Sequence, residues 1–356
     1  MVVHSGSSGT TPLLQILSGA WRAQPDPVRI SESDLERAAP LLLATGTAAL
    51  AWHKLSLLQL ESNPFFRQLE EAYRLHSIHS VVLENKVKDV FSLLRAGGVE
   101  PLLLKGWAVA RLYPEAGLRP SGDIDLWIKP TEVTEARALL NAGGDLRYWV
   151  DLHSTFYKQY ERTVADVLEQ SQLMPLDGVE IRVPRIEDHL RYLCLHFLTH
   201  GAWRPLWLCD IALIVESRAS DFDWSRCLGA TPRYADWIAC TIGLAHQLLG
   251  ADISGVPVEE RARKLPRWLL PAVLRQWEAG AGMSYADKAA LTVQAGRLRP
   301  HGLMTAWREH WRNPIQATVE LSAAFDERRR APLQLAAGLK RLPKFTRDLL
   351  RNLRTW

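Results

Sequence analysis

Leu102-Leu103-Leu104-Lys105-Gly106 and, after a helix-length gap, Leu118-Arg119-Pro120-Ser121-Gly122-Asp123-Ile124-Asp125-Leu126-Trp127-Ile128 are the stretch from which the fold is read. Ile124, Leu126 and Ile128 alternate with polar or aromatic residues, the period of a strand, so Asp123 and Asp125 leave the sheet on one face. Two carboxylates held side by side repel each other unless a cation lies between them. Oxygen ligands of this kind suit Mg²⁺ shared with substrate phosphates, which makes nucleotide chemistry the first expectation.

The upstream half supports this independently. An apolar run ending in Lys105-Gly106 and passing into Trp107-Ala108-Val109-Ala110-Arg111 reads as a buried strand turning sharply into a helix. Glycine at such a turn lets backbone N–H groups at the helix start approach a phosphate. Lys105 and Arg119 add positive charge, and Ser121 and Gly122 in the turn before the acid pair complete the candidate nucleotide-binding set. Downstream, Thr131 to Gly143 has the start signal, period and terminal glycine of a helix. Leu146 to His153 then returns to strand-like composition and carries a third acid, Asp151. Pairing that strand beside the first brings Asp151 to the Asp123/Asp125 pocket, giving three candidate ligands for two metals. His153 shares a strand face with Asp151 and is read either as a neighbour of the site or as a buried, hydrogen-bonded structural histidine.

The order Leu-Lys-Gly, Leu-Arg-Pro-x-x-Asp-Ile-Asp-Leu, Asp-Leu-His, then a His-rich helix and a Trp-x-x-Asp segment resembles the uncharacterised nucleotidyltransferase family, a branch of the DNA polymerase β-like superfamily, over roughly Val81 to Asp223. The resemblance implies an α+β fold in which a small mixed sheet is flanked by helices and followed by a largely helical C-terminal region. It implies that Gly106 opens a helix over the triphosphate, that Asp123 and Asp125 bind two Mg²⁺, and that Asp151 assists the attacking group. The reaction implied is transfer of a nucleoside monophosphate, most simply AMP, from an NTP to a hydroxyl acceptor with loss of pyrophosphate. The acceptor is left open among a metabolite, a peptide, a protein and RNA. The rival readings are a catalytically impaired nucleotide-binding regulator and an antitoxin-like nucleotidyltransferase acting on a partner protein or RNA.

Outside this core, 47% hydrophobic residues in 356 are ample for packed cores. No apolar run reaches membrane-spanning length and no signal peptide is evident, so a cytoplasmic location is expected. Cys194, Cys209, Cys227 and Cys240 have no Cys-x-x-Cys spacing. The division expected is a disordered 1–10, a helical 11–98, the α/β core at 99–185, a helical 186–325 and a basic tail at 326–356. Ser31 before Leu35 and Asn63 before Pro64 read as helix caps, with Gly97-Gly98 ending the second helix. Arg328 to Trp356 holds nine Lys/Arg against one acid, and its leucines recur at helical spacing interrupted at Pro343. That pattern reads as a kinked amphipathic helix packing on the protein or a partner, or touching nucleic acid or an acidic membrane surface. His189, His196 and His200 fall on one face of a helix starting near Glu187. They are read as lining the cleft, as a core stripe hydrogen-bonded to Asp210, or, least readily, as part of a zinc site. Trp203 and Trp207 read as aromatic core beside Asp210. Strands are expected near Pro101–Lys105, Ile124–Ile128 and Tyr148–Leu152.

Overall fold

A computed structural model of the chain describes residues 10–58, 60, 62–115, 117–280 and 312–354. The segment expected to be disordered lies, except for Thr10, outside the described residues; Thr10 opens helix α1 (Thr10–Leu17). Helix α2 (Glu32–Thr45) starts where Ser31 accepts a hydrogen bond from the Asp34 N–H and stops at Gly46, in the left-handed conformation. After α3 (Ala48–Leu55), the 33-residue α4 (Pro64–Ala96) begins with Asn63 accepting from the N–H groups of Phe65 and Phe66.

The sheet is three-stranded, in the order β1 (Leu102–Leu103), β2 (Ile124–Trp127), β3 (Val150–His153). β1 runs antiparallel to β2, whereas β2 and β3 are parallel. The short α5 (Trp107–Ala110) follows β1, and α6 (Val133–Ala142) makes the crossover that a parallel pair requires. All three strands are shorter than expected. In the third case the chain winds into a 3-10 turn over Gly144–Tyr148 before it extends.

Alternation along β2 separates two cores. Ile124, Leu126 and Ile128 pack with Leu103, with Ala136 and Leu140 of α6, and with Leu83, Val87, Val90, Phe91 and Leu94, a helical stripe on α4. A hairpin of β4 (Gln172–Leu176) and β5 (Val179–Val183) closes this core with Ile181 and Val183. Its two-residue turn, Asp177-Gly178, has positive φ at both positions (42° and 84°), as a type I′ turn demands. On the opposite face of the sheet Asp125 and Trp127 look towards α7 (Val164–Glu169), α8 (Ile186–Thr199) and α9 (Pro205–Ser217). These helices, with α10 (Trp224–Leu228), α11 (Pro232–Leu249), α12 (Glu259–Arg263) and α13 (Leu269–Gly280), share one large core with α1 to α3. The helices before and after the sheet therefore build a single apolar body, fastened at Glu216 by Trp21 (2.9 Å) and Arg22 (2.7 Å).

A helix at Pro314–Glu320 precedes the C-terminal helix Ala331–Arg354, which runs on through Pro343 where an interruption is expected. Leu335 and Leu339 are exposed, so they do not pack on the protein's own described residues, and Ala337 and Gly338 are buried. The side chains of Phe345, Leu349, Leu350 and Leu353 lie outside the described residues. Among the described residues no helix is long and apolar enough to cross a membrane.

Candidate active site

Because β2 and β3 are parallel and in register, Asp125 stands beside Asp151, and Trp127 beside His153. Asp125 is buried, whereas Asp151 is exposed at the strand edge. His153 stacks on Trp127 with ring centres 4.3 Å apart and sets its Nε2 3.2 Å from Asp151 Oδ2 and 3.5 Å from Asp125 Oδ1. One ligand atom from each of Asp125, Asp151 and His153 lies within 4.8 Å of the others. The buried Asp125 Oδ1 is met by the Lys105 ammonium and the His153 ring, charge-bearing groups in whose place a divalent cation would fit. The donor set therefore fits a divalent metal. Asp123 lines the same cleft, just ahead of β2, but does not join that close group.

Electrostatics separate the two acids of the pair. Burial and the neighbouring Asp125 charge push the Asp123 carboxyl above its ordinary value. Burial acts on Asp125 in the same direction, but the His153 ring and the Lys105 ammonium outweigh it and hold the carboxyl below the usual range. Lys105 Nζ is 2.7 Å from Asp125 Oδ1.

The turn beneath Lys105 requires glycine. Gly106 has φ 60° and ψ −122°, and a Cβ there would stand 2.8 Å from Ser121 Oγ and 3.3 Å from the Asp123 carbonyl. Ser121 and Gly122 thus lie close against this turn, on the wall of a cleft of about 590 Å³ that holds Lys105, Gly106, Asp123, Asp125, Asp151 and His153 together.

Arg119 departs from expectation. Its guanidinium is buried and committed to Asp210 of α9, with Nε and Nη2 donating at 3.1 and 2.9 Å, while the Tyr113 hydroxyl donates to the same carboxylate at 2.8 Å. Its charge is thus balanced by Asp210, while the side chain also lines the cleft. Asp210, fully buried, stands behind the cleft wall rather than in it, and binds no histidine. A second guanidinium on the cleft, without a carboxylate partner, is Arg204, which sequence reasoning misses. It lies by the rings of Trp203 and Trp207 (6.0 and 5.7 Å), donates through Nε to the Thr45 carbonyl, and makes no ion pair among the described residues. Burial, aided by the Arg119 charge, lowers its pKa to about 10. Nothing in Trp203-Arg204-Pro205 signals this; it follows from which acids the fold leaves nearby.

The histidine stripe divides. His196 and His200 line the cleft, and both meet the Tyr157 hydroxyl, at 3.0 and 3.3 Å. His189, a turn and more upstream, is buried and bonded to the Leu104 carbonyl. Burial drives His189 down to about 3, His196 well below its ordinary value and His200 to about 4, so all three are neutral near pH 7. The nearby thiols of Cys194 and Cys209 are buried in the apolar core, and the only metal-capable group among the described residues is Asp125/Asp151/His153. Trp203 and Trp207, read as core, form cleft wall.

Adjacent acids on parallel strands, facing a glycine turn that opens a helix, are compatible with chemistry on a phosphate-bearing substrate. The chain belongs to the uncharacterised nucleotidyltransferase family, whose model matches residues 31–250 and so takes in every cleft residue named above. Its reaction is accordingly the transfer of a nucleotidyl group. No curated protein and no solved structure matches the chain.

Proposed function

We propose that the chain moves a nucleoside monophosphate, most simply AMP, from an NTP to a hydroxyl acceptor in a Mg²⁺-dependent reaction. Asp123, Asp125 and Asp151, with His153 beside them, would hold the metal, which when bound supplies positive charge to the triphosphate and the acceptor oxygen. The acceptor oxygen forms a bond to the α-phosphorus. The bond from that phosphorus to the α,β-bridging oxygen breaks, and pyrophosphate leaves with the electron pair. The hydroxyl proton passes to Asp151, which is exposed at the strand edge and thus open to an incoming group. Lys105 and Arg204 neutralise the triphosphate, and the turn at Gly106 brings backbone N–H groups to it. Tyr157, His196 and His200 form a neutral, hydrogen-bonding wall suited to sugar or base.

The observation that carries this reading is the in-register Asp125–Asp151 pair, with His153 Nε2 within reach of both carboxylates. The test is incubation of the purified chain with each α-labelled NTP, Mg²⁺ and a small-molecule and macromolecular extract. Label should enter an acceptor as pyrophosphate appears, and Asp123→Asn should abolish this. Nucleotide that binds and is never turned over, under all four NTPs, sinks the reading in favour of a binding protein.

A further inference from the structure

A second cavity, of about 220 Å³, lies across the Arg119-Pro120-Ser121 segment from the transfer cleft, and those three residues line both. Its far wall is one stripe of α4, and its floor is α5 with the residue that follows it, Arg111. The stripe carries His76, Leu83 and Glu84 at helical spacing, and Trp107 faces them from the start of α5. None of these belongs to the metal cluster or to the glycine turn itself.

Two polar atoms in this cavity lack partners. Arg111 Nε and His76 Nδ1 are buried and make no hydrogen bond. Arg111 also has no ion pair among the described residues, and its pKa is lowered by burial with no carboxylate opposing the shift. Burial likewise lowers His76, keeping that imidazole neutral. A half-buried guanidinium that forms no ion pair among the described residues, although Glu84 lines the same cavity, is a group that an anion in the space would engage. A planar fork of donors selects carboxylate or phosphate oxygens in particular. Leu83 and Trp107 give such a ligand an apolar wall, and the volume admits a compact molecule, not a second nucleotide.

We propose that this cavity is the acceptor subsite, and that the acceptor is a small hydroxyl-bearing acid whose carboxylate or phosphate pairs with Arg111. The assignment rests on the nucleotidyl-transfer reading above. Anchored there by its anionic end, the acid would have to extend its hydroxyl past Pro120 and Ser121, which line both spaces, to meet the α-phosphate in the cleft.

Calorimetry on the full chain tests this, with malonate and inorganic phosphate as probes and the cleft first saturated with Mg²⁺ and α,β-methylene-ATP. Each probe should show a saturable site that persists with the analogue bound; the tighter of the two identifies the acid as carboxylate or phosphomonoester. Arg111→Gln should weaken that site by about tenfold or more, as expected for a lost charge-assisted contact, with analogue affinity held within about twofold. Arg111→Lys should restore part of the loss, and Ala110→Phe, which fills the cavity and keeps the charge, should abolish probe binding. Displacement of the probes by the analogue, or indifference to Arg111→Gln in a variant that melts normally, overturns the proposal while nucleotide binding stands. Failure of the analogue to bind, with the probes still reporting Arg111, defeats the nucleotide reading and the acceptor assignment with it.

Discussion

Asp123 and Asp125 are two residues apart and electrostatically opposite. The first is strained by burial and by its neighbour's charge; the second is held ionised by Lys105 and His153. A carboxyl whose folded pKa is raised weakens the fold once ionised, and one whose folded pKa is lowered adds stability above its unfolded pKa that is lost as the pH falls through the folded value. Both Asp→Asn variants should therefore lose transfer, but their melting temperatures should part. Asp123→Asn is expected to melt at or above the wild-type temperature, and Asp125→Asn to lose about 1–3 kcal/mol because Lys105 and His153 are left facing an amide. Equal shifts in thermal denaturation at pH 7 would contradict this electrostatic account. Gly106→Ala combines a backbone conformation that L-residues avoid with a 2.8 Å approach to Ser121 Oγ. It should cost about 1–3 kcal/mol and impair nucleotide binding, read by the same melts and by titration with an ATP analogue.

At the level of elements, the bond between α9 and the 118–122 segment decides whether the cleft keeps its shape. Asp210 receives Arg119 and Tyr113 in a fully buried setting, so Asp210→Asn leaves a buried guanidinium uncompensated and should cost about 3–5 kcal/mol in urea unfolding. A loss below about 1 kcal/mol would show the pair to be solvated in solution. Neither the partner of Arg119 nor the isolation of Arg204 is written locally. The pair spans 91 residues of chain, and only the folded packing of α9 brings the acid to one arginine and not the other. Local signals, by contrast, were readable: the alternation around Ile124-Asp125-Leu126, the Ser31 and Asn63 caps, and the helix before Gly143 all appear, because each depends on neighbours within a turn or a strand. The β4–β5 hairpin went unread although Asp177-Gly178 is a strong turn signal, since Pro175 breaks the strand pattern beside it. In the C-terminal helix the spacing shows an apolar face at Leu335, Leu339 and Leu342 but not what covers it, because a partner surface is not written in the helix itself.

For the molecule as a whole, buried neutral histidines set the acid limit. His189 and His196 are neutral in the fold down to far below their unfolded pKa of 6.5, so the unfolded chain takes up protons that the folded chain refuses. Their stability contribution is complete above about pH 6.5 and is lost progressively below it, towards the depressed folded values, at up to about 2.7 kcal/mol per pH unit for the two together. Urea midpoints should fall steeply from pH 6.5 to pH 4.5, and His189→Gln should flatten that slope by about half, since the amide carries no proton to gain. A flat profile over this interval would place both rings in solvent.

The Lys105–Asp125 pair makes the protein its own competitor. An ammonium 2.7 Å from the carboxylate occupies the position a divalent cation needs, and a triphosphate is the group best able to draw it away. Metal and nucleotide are then heterotropic ligands: each should tighten the other's binding by the same factor, as linkage requires. Lys105→Met should tighten Mn²⁺ binding by the nucleotide-free protein and, in the same variant, shrink the coupling between Mn²⁺ and ATP analogue towards unity. Wild type should thus idle without metal until substrate arrives, so that the order of addition is written into a single side chain.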